Sequence, residues 1–310
     1  MPASTLNCPP RGTDAHLDRL RDLFAGMSSA LVCFSGGVDS AFVLAVAHEV
    51  LGSRAIGMTA VSPSLAPEER ALAIEVAQQI GARHELVESH EIDDESYLAN
   101  NPDRCFHCKS ELYRVSAAKQ TEWSVAHVVN GTNLDDLGDY RPGLEAAKQY
   151  GARSPLIEAE FHKSDVRRAA SLMGLSVWDK PAAACLSSRI PYGTRVTRER
   201  LAQIAALEEE LHGMGLRQVR VRWHALGGAG AGKSVAESGA SVASDVTLAE
   251  GAMARIEVGE KELARAFELR EAIVLAGNRH GYAYVTLDLA GYRVGSHNEV
   301  LRGKSLRVVA

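Results

Sequence analysis

Along residues 14–88 the spacing of apolar positions keeps switching between two periods. Residues 14–26 place apolar side chains three and four apart, as an amphipathic helix does, and 30–34 form a short continuous apolar run. Helical spacing returns over 39–51, a strand pattern over 55–61, a helix over 67–80 opened by Pro67-Glu68-Glu69 and stopped at Gly81, and a strand over 83–88. A further strand, HVVNG, ends at Gly131 and leads into Thr132, Asn133, Asp135 and Asp136. Alternation of this kind predicts an α/β fold with a parallel, Rossmann-like sheet covered by helices on both faces. Beyond Pro191 the pattern changes to a helix at 197–213, strands near 216–223, 254–258 and 282–288, and a helix at 260–276, which predicts a smaller C-terminal α+β domain. The chain is therefore expected to divide into a first domain, 1–180, and a second, 181–310. Residues 225–251, rich in Ser, Gly and Ala, read as a flexible insertion between two strands of the second.

Between the run at 30–34 and the following helix, Ser35 to Ser40 read SGGVDS. Gly36 and Gly37 allow a sharp turn that brings backbone N–H groups close to an anion, Ser35 and Ser40 add hydroxyl donors, and the helix N-terminus points at the same place. A plain corner of a doubly wound sheet needs fewer donors, so the hexamer predicts a nucleotide phosphate site, with Gly131 arriving at the same carboxyl edge. The hexamer resembles the pyrophosphatase loop of the ATP pyrophosphatase family. That resemblance implies cleavage of ATP between its α and β phosphates, with Asp39 positioning the Mg2+ that spans them. A second glycine-rich stretch, Gly227 to Ser234 (GGAGAGKS), fits the Walker pattern by letter. The residues after Lys233, SVAESGASVASD, lack the apolar face of the helix such a loop should open, so it is read as a look-alike.

The five cysteines are Cys8, Cys33, Cys105, Cys108 and Cys185. Cys33 in its strand reads as a small buried hydrophobe and Cys8 belongs to a Pro-rich tail. Cys105 and Cys108 form C-F-H-C inside NPDRCFHCKSELY, which runs into a helix, and Cys185 stands in KPAAACLSSRIPYGT. The odd count and the absence of a secretory pattern argue against a disulfide framework. A zinc site would need His107 as fourth ligand, but a residue between two ligands one step from each points away from the metal they share. A redox CxxC with an unrelated third cysteine is the bland alternative. The preferred reading is an iron–sulfur cluster held by Cys105, Cys108 and Cys185, with one iron open to an exogenous group such as sulfide.

Composition bounds the remaining classes. The 310 residues, 46% hydrophobic and 24% charged, can bury a full core, and no stretch approaches the ~18 apolar residues of a membrane helix. A cytoplasmic, membrane-free protein is expected. The net charge of −5 is unevenly spread, acidic in 1–180 and slightly basic in 181–310. The basic excess is local, at Arg189, Arg195, Arg198, Arg217, Arg220 and Arg222, which suits a small phosphate ester better than a nucleic acid.

The segments SGGVDS, NPDRCFHCK, GTNLDDLGDYRPG, ACLSSRIPYGT, LRQVRVR and ARIEV follow one another from about Leu31 to Val258. In this order the chain resembles the LarE-type sulfur transferases. The resemblance implies an enzyme that adenylylates the carboxylates of pyridinium-3,5-biscarboxylic acid mononucleotide and converts them to thiocarboxylates for the nickel-pincer cofactor of lactate racemase. In some members the cysteine matching Cys185 is alone and surrenders its own sulfur. With Cys105 and Cys108 also present, this chain resembles the branch that carries sulfide on a 4Fe-4S cluster. The family pattern further implies that Ser188, Arg220 and Arg222 hold the substrate phosphate, and that Glu208 and Glu257 match acidic positions of a second metal site. ATP, Mg2+ and the 4Fe-4S cluster are the implied cofactors, a sulfide donor the implied partner, and a homo-oligomer the expected state. A tRNA thiolase with the same loop and a zinc-stapled nucleotide-binding module are the competing readings.

Overall fold

The computed structural model describes residues 6–138, 142–181, 183–226 and 251–293. The look-alike loop at 227–234 and nearly all of the 225–251 insertion lie outside them. The chain divides into two compact units, Met1–Cys185 with Tyr192–Arg198, and Leu186–Pro191 with Glu199–Ala310.

In the first unit four parallel strands, β1 (Ala30–Cys33), β2 (Ala55–Val61), β3 (Arg83–Glu88) and β4 (His127–Val129), stand in the order β3-β2-β1-β4. Helices α1 (Ala15–Ala25), α2 (Val38–Leu51), α3 (Pro67–Ile80), α4 (Glu95–Leu98), α5 (Arg104–Glu122), α6 (Pro142–Gln149), α7 (Pro155–Glu158) and α8 (Lys163–Leu172) connect and cover them. Because successive strand residues face opposite sides, the four residues of β1 feed two separate cores. Ala30 and Val32 pack with Phe24, Phe42 and Val166, while Leu31 and Cys33 pack with Tyr113 and Ala146. The all-apolar reading of 30–34 is thus a strand buried on both faces. Helix α2 is buried nearly all round, which is why its sequence, VDSAFVLAVAHEVL, has so little polar surface.

The chain leaves β1 for α2 on one side and reaches β4 by a later crossover, so the strand order reverses between β1 and β4. That is the place where ligands of open α/β sheets collect. At this point a Cβ on Gly131 would stand 2.8 Å from the Ser40 nitrogen and 3.0 Å from the Asp39 carbonyl carbon. Only glycine lets the loop after β4 touch the start of α2.

The second unit holds a mixed three-stranded sheet, β5 (Val219–Leu226), β6 (Gly251–Val258) and β7 (Tyr282–Leu287), with β5 antiparallel and β7 parallel to β6. Helix α9 (Arg198–Gly213) covers one face: Trp223 Nε1 donates to Gln203 Oε1 at 2.8 Å and the Arg200 guanidinium lies 4.3 Å from the Trp223 ring centre. The strand expected near 216–223 begins three residues later, because the Glu262 carboxylate takes the Arg217 and Gln218 amides at 2.7 and 2.9 Å. The single helix expected at 260–276 is divided into α10 (Leu263–Glu268) and α11 (Arg270–Arg279), preceded by a turn of 3-10 helix at Glu260–Glu262. Among the described residues no helix is long and apolar enough to cross a membrane.

Replacing Gly131 by Ala forces β4's loop off α2 and is expected to cost about 1–3 kcal/mol, seen as a lower thermal midpoint. An unchanged midpoint would show that the two loops do not bear on one another.

Candidate active site

Gly36 turns the chain out of β1 with φ +74°, pressed against α3 so that a Cβ would lie 3.0 Å from the Ala73 Cα. Ser40 closes the loop: its hydroxyl accepts from the Ser35 amide and meets the Ser35 hydroxyl, both at 3.2 Å, and donates to the Gly37 carbonyl at 3.1 Å. Gly37 is the N-cap of α2 and has no side chain to occupy the first amides of the helix. Those N–H groups, with the helix dipole behind them, are left for an anion. Ser35, Gly36, Gly37, Asp39, Ser40 and Gly131 therefore meet at the reversal point.

Asp39 shows what else converges there. Its carboxylate accepts from Asn133 Nδ2 at 3.1 Å and pairs with the ammonium of Lys163, the first residue of α8. Asp135 in turn accepts from the Lys163 amide and bonds His162 Nδ1, each at 2.7 Å, and Asn133 Oδ1 accepts from the Asp135 amide at 3.0 Å. The hydrogen bond to His162 and the Lys163 amide hold Asp135 below the usual carboxylate range, and Asp135 raises His162. The sequence pointed to Asn133 and Asp135 through the strand before them. It gave no sign of Lys163, a lone lysine at a helix start 124 residues from its partner.

The cysteines are the second group in this unit. Cys105 and Cys108 lie three apart in the first turns of α5, on one face. Cys105 and Cys185 are exposed and Cys108 half-buried. Cys105 and Cys185 both bear on Cys108: burial pushes the Cys108 thiol up to about 12, and Cys185, Glu91 and Cys105 add to the rise against the pull of Lys109. Burial opposes the charge on Arg104, yet Cys185 and Cys105, with Tyr97 and Tyr192, hold its pKa above the ordinary value. His107 faces away, toward Asp94 at 3.6 Å and Asp103 at 3.7 Å. Glu91 is buried among hydroxyls, accepting from Ser62, from Ser64 at 2.9 Å and from Ser89 at 2.5 Å.

Cys185 is held in place from the chain that follows it. Asn100, buried and with φ +54°, accepts from the Gly193 amide at 3.0 Å and donates to the Thr194 carbonyl at 2.9 Å. The Arg195 fork grips Glu95 at 2.7 and 2.8 Å, and the Val196 amide donates to the Leu98 carbonyl at 2.9 Å. Segment 192–198 is thereby clasped beside the start of α5. Among the described residues no three His, Cys, Asp or Glu side chains surround one metal ion. A cluster distributes its thiolates over several irons and does not require them to meet at one point.

In the second unit Arg220 and Arg222 share one face of β5, as the alternation predicts, but both are buried rather than turned to water. Arg222 forms a two-pronged pair with Glu257, both prongs 3.0 Å, and donates to the Ser188 carbonyl at 2.7 Å. Arg189 does the same to Glu208 at 2.9 and 3.1 Å, and reaches the Ser188 hydroxyl at 3.2 Å. Glu208 also accepts from the Val221 amide at 2.8 Å. The two glutamates expected at a second metal site thus each hold a buried arginine here. Arg220 differs: among the described residues its hydrogen bond goes to the Tyr292 hydroxyl at 2.6 Å.

In protein prepared without iron, iodoacetamide should reach exposed Cys105 well before Cys108. The rate at Cys108 should keep climbing above pH 9, because a raised pKa keeps the unreactive thiol form as pH rises. Peptide mass mapping across pH 7–10 reads this; equal rates at the two sites would contradict the buried setting of Cys108.

Comparison with known proteins matches this arrangement. A family described as asparagine synthase covers residues 27–110, the stretch with the phosphate loop, β1 to β3 and the C-F-H-C pair. An uncharacterized protein of Synechocystis is 41% identical across 93% of this chain and 98% of its own length. The pyridinium-3,5-bisthiocarboxylic acid mononucleotide synthase of Lactiplantibacillus plantarum is 34% identical across 90% of this chain and 92% of its own. An uncharacterized protein of Methanocaldococcus jannaschii is 26% identical across 62% and 73%. With a phosphate loop built at the strand-order reversal and likeness to that synthase over nearly the whole length of both, the chain belongs to the LarE-type family of ATP-dependent sulfur transferases.

Proposed function

We propose that the chain converts the two carboxylates of pyridinium-3,5-biscarboxylic acid mononucleotide to thiocarboxylates in nickel-pincer cofactor synthesis, and that it does so without consuming its own cysteine. The observation that carries the second half is that Cys105 and Cys108 share one face at the start of α5 and that Cys185 and Cys105 both bear on Cys108. A sacrificial cysteine needs no thiol neighbours.

Adenylylation comes first. A substrate carboxylate oxygen attacks the α-phosphorus of ATP, the bond to the β-phosphate breaks, and pyrophosphate leaves. The open amides at the start of α2 bind the phosphates, with Ser35 and Ser40 hydroxyls beside them. Asp39 offers a hard oxygen ligand that fits Mg2+, an ion commonly held by one or two carboxylates and completed by phosphate oxygens and water. Lys163, paired with Asp39, would hold a positive charge beside the phosphates, and Asp39 would be the carboxylate that holds Mg2+ there. Asn133 keeps Asp39 in register throughout.

Thiolation follows. Sulfide attacks the carbonyl carbon, a C–S bond forms, the C–O bond to AMP breaks, and the thiocarboxylate remains. Two exposed thiols with a half-buried third beside them fit a 4Fe-4S cluster, which Cys105, Cys108 and Cys185 would hold and which would supply a deprotonated sulfide at neutral pH. Arg104 sets a fixed positive charge beside these sulfurs, and the Asn100 clasp keeps Cys185 within reach of the other two. Arg220 and the Ser188 hydroxyl receive the substrate phosphate, while Arg222, committed to Glu257 and the Ser188 carbonyl, fixes the position of Ser188.

Asp39→Ala should abolish substrate-dependent pyrophosphate release, and Lys163→Ala should slow it about 100-fold with the thermal midpoint preserved. Release at the original rate in either variant would remove that residue from the site.

Intact-mass measurement after turnover tests the sulfur source. An unchanged protein mass with more than one product per chain is expected. A loss of about 34 mass units, hydrogen sulfide leaving a cysteine as dehydroalanine, would make the side chain the donor.

A further inference from the structure

Among the described residues, the charges on the face of β5 and β6 do not balance. Arg189 has Glu208, Arg222 has Glu257, and Arg255 has Asp288 with Glu257 at 3.2 Å as well. Arg220, only 7% exposed and paired across the sheet with the Glu257 position, sees that carboxylate already engaged by two other arginines. Arg189 and Arg222 face it with like charge. A buried guanidinium among other cations is costly until an anion joins it.

What covers it is Tyr292. The ring lies over the guanidinium, 4.2 Å from its centre to the Arg220 carbon, and the phenol oxygen accepts from Nη2 at 2.6 Å. The ring is fixed through its own backbone, the Tyr292 amide donating to the Val258 carbonyl at the end of β6 at 2.8 Å. Since the phenol oxygen accepts from Arg220, its own proton is directed elsewhere, and among the described residues it has no acceptor.

We propose that Tyr292 is a direct ligand of the substrate phosphate. Its hydroxyl donates to one phosphate oxygen while Arg220 binds another, and the ring stacked on the guanidinium keeps the fork aimed and excludes water from it. The ligand class is a phosphomonoester dianion, which takes both donors and supplies the charge that the arginines lack. This rests on the reading of Arg220 as the phosphate site. It adds that the last described segment of the chain completes the site, and that selection for a nucleotide over its nucleoside depends on a hydroxyl as well as on arginine.

The test is calorimetric binding of pyridinium-3,5-biscarboxylic acid mononucleotide and of the same compound without its phosphate, with wild type, Tyr292→Phe, Tyr292→Leu and Arg220→Lys. Tyr292→Phe, which keeps the stacked ring, should raise Kd for the mononucleotide about tenfold and leave the nucleoside unchanged. Tyr292→Leu should lose at least as much. If Tyr292→Phe binds both ligands as wild type does while Arg220→Lys loses its preference for the phosphate, the tyrosine assignment is overturned and the arginine assignment stands. If Arg220→Lys also keeps the preference, the phosphate site itself lies elsewhere. Equal weakening of both ligands by Tyr292→Phe would reduce the residue to a structural prop and overturn the proposal too.

Discussion

The loop after β4 and the first turn of α2 meet backbone to backbone, with the Gly131 Cα where any side chain would collide with Ser40 and Asp39. This contact does more than close a gap in packing. It draws Asn133, two residues further on, to within 3.1 Å of the Asp39 carboxylate, and it places the helix that begins with Lys163 where its ammonium reaches the same group. The anion site at the start of α2 therefore comes with a carboxylate, an amide and a cation from three separate chain segments. A side chain at position 131 would push the loop that carries Asn133 away from the start of α2.

The second unit is held by a different logic. Its sheet face carries arginines and carboxylates where a small domain would normally place Val and Leu, and burying such groups stabilises little by itself. Removing Glu257 would take its carboxylate from the Arg222 guanidinium, which is only 4% exposed. What the pairs supply is direction. Two-pronged geometry fixes each guanidinium in its plane, Arg222 and Arg189 both lock onto Ser188, and Arg220, which among the described residues has no carboxylate paired to it, stands near both. A flexible basic patch would bind phosphate with less selectivity.

Much of this was legible in the sequence because it rests on local rules. Strand-loop-helix order with SGGVDS at the junction fixed the nucleotide end, the two-residue alternation of Arg220 and Arg222 put both on one face, and the position of His107 between two cysteines predicted that it points away. Long-range pairs were not legible. Lys163 meets Asp39 only because α8 packs against α2, and nothing in FHKSD marks that lysine from any other at a helix start. Glu208 and Glu257 match a second metal site by resemblance alone, because a sequence cannot tell a carboxylate that awaits a metal from one already gripped by an arginine. The late start of β5 likewise depended on Glu262, over forty residues away, taking two amides out of the ladder.

The route of the chain around Cys185 bears on the choice between the two sulfur chemistries. Cys185 ends the first stretch of the first unit; the chain contributes Leu186–Pro191 to the second, then returns with Tyr192–Arg198. That return is anchored by the Arg195–Glu95 fork, the Val196 amide, and the side-chain N–H and backbone carbonyl of Asn100, with Arg104 near the Tyr192 ring at 5.9 Å. A cysteine that has only to meet an acyl adenylate would be served by a loop able to swing toward it. Here the segment that follows is tied to α4 and to Asn100, just before the helix that carries Cys105 and Cys108, with a left-handed conformation at Asn100. The tie sets the segment after Cys185 beside the start of α5, where Cys105 and Cys108 stand three residues apart on one face.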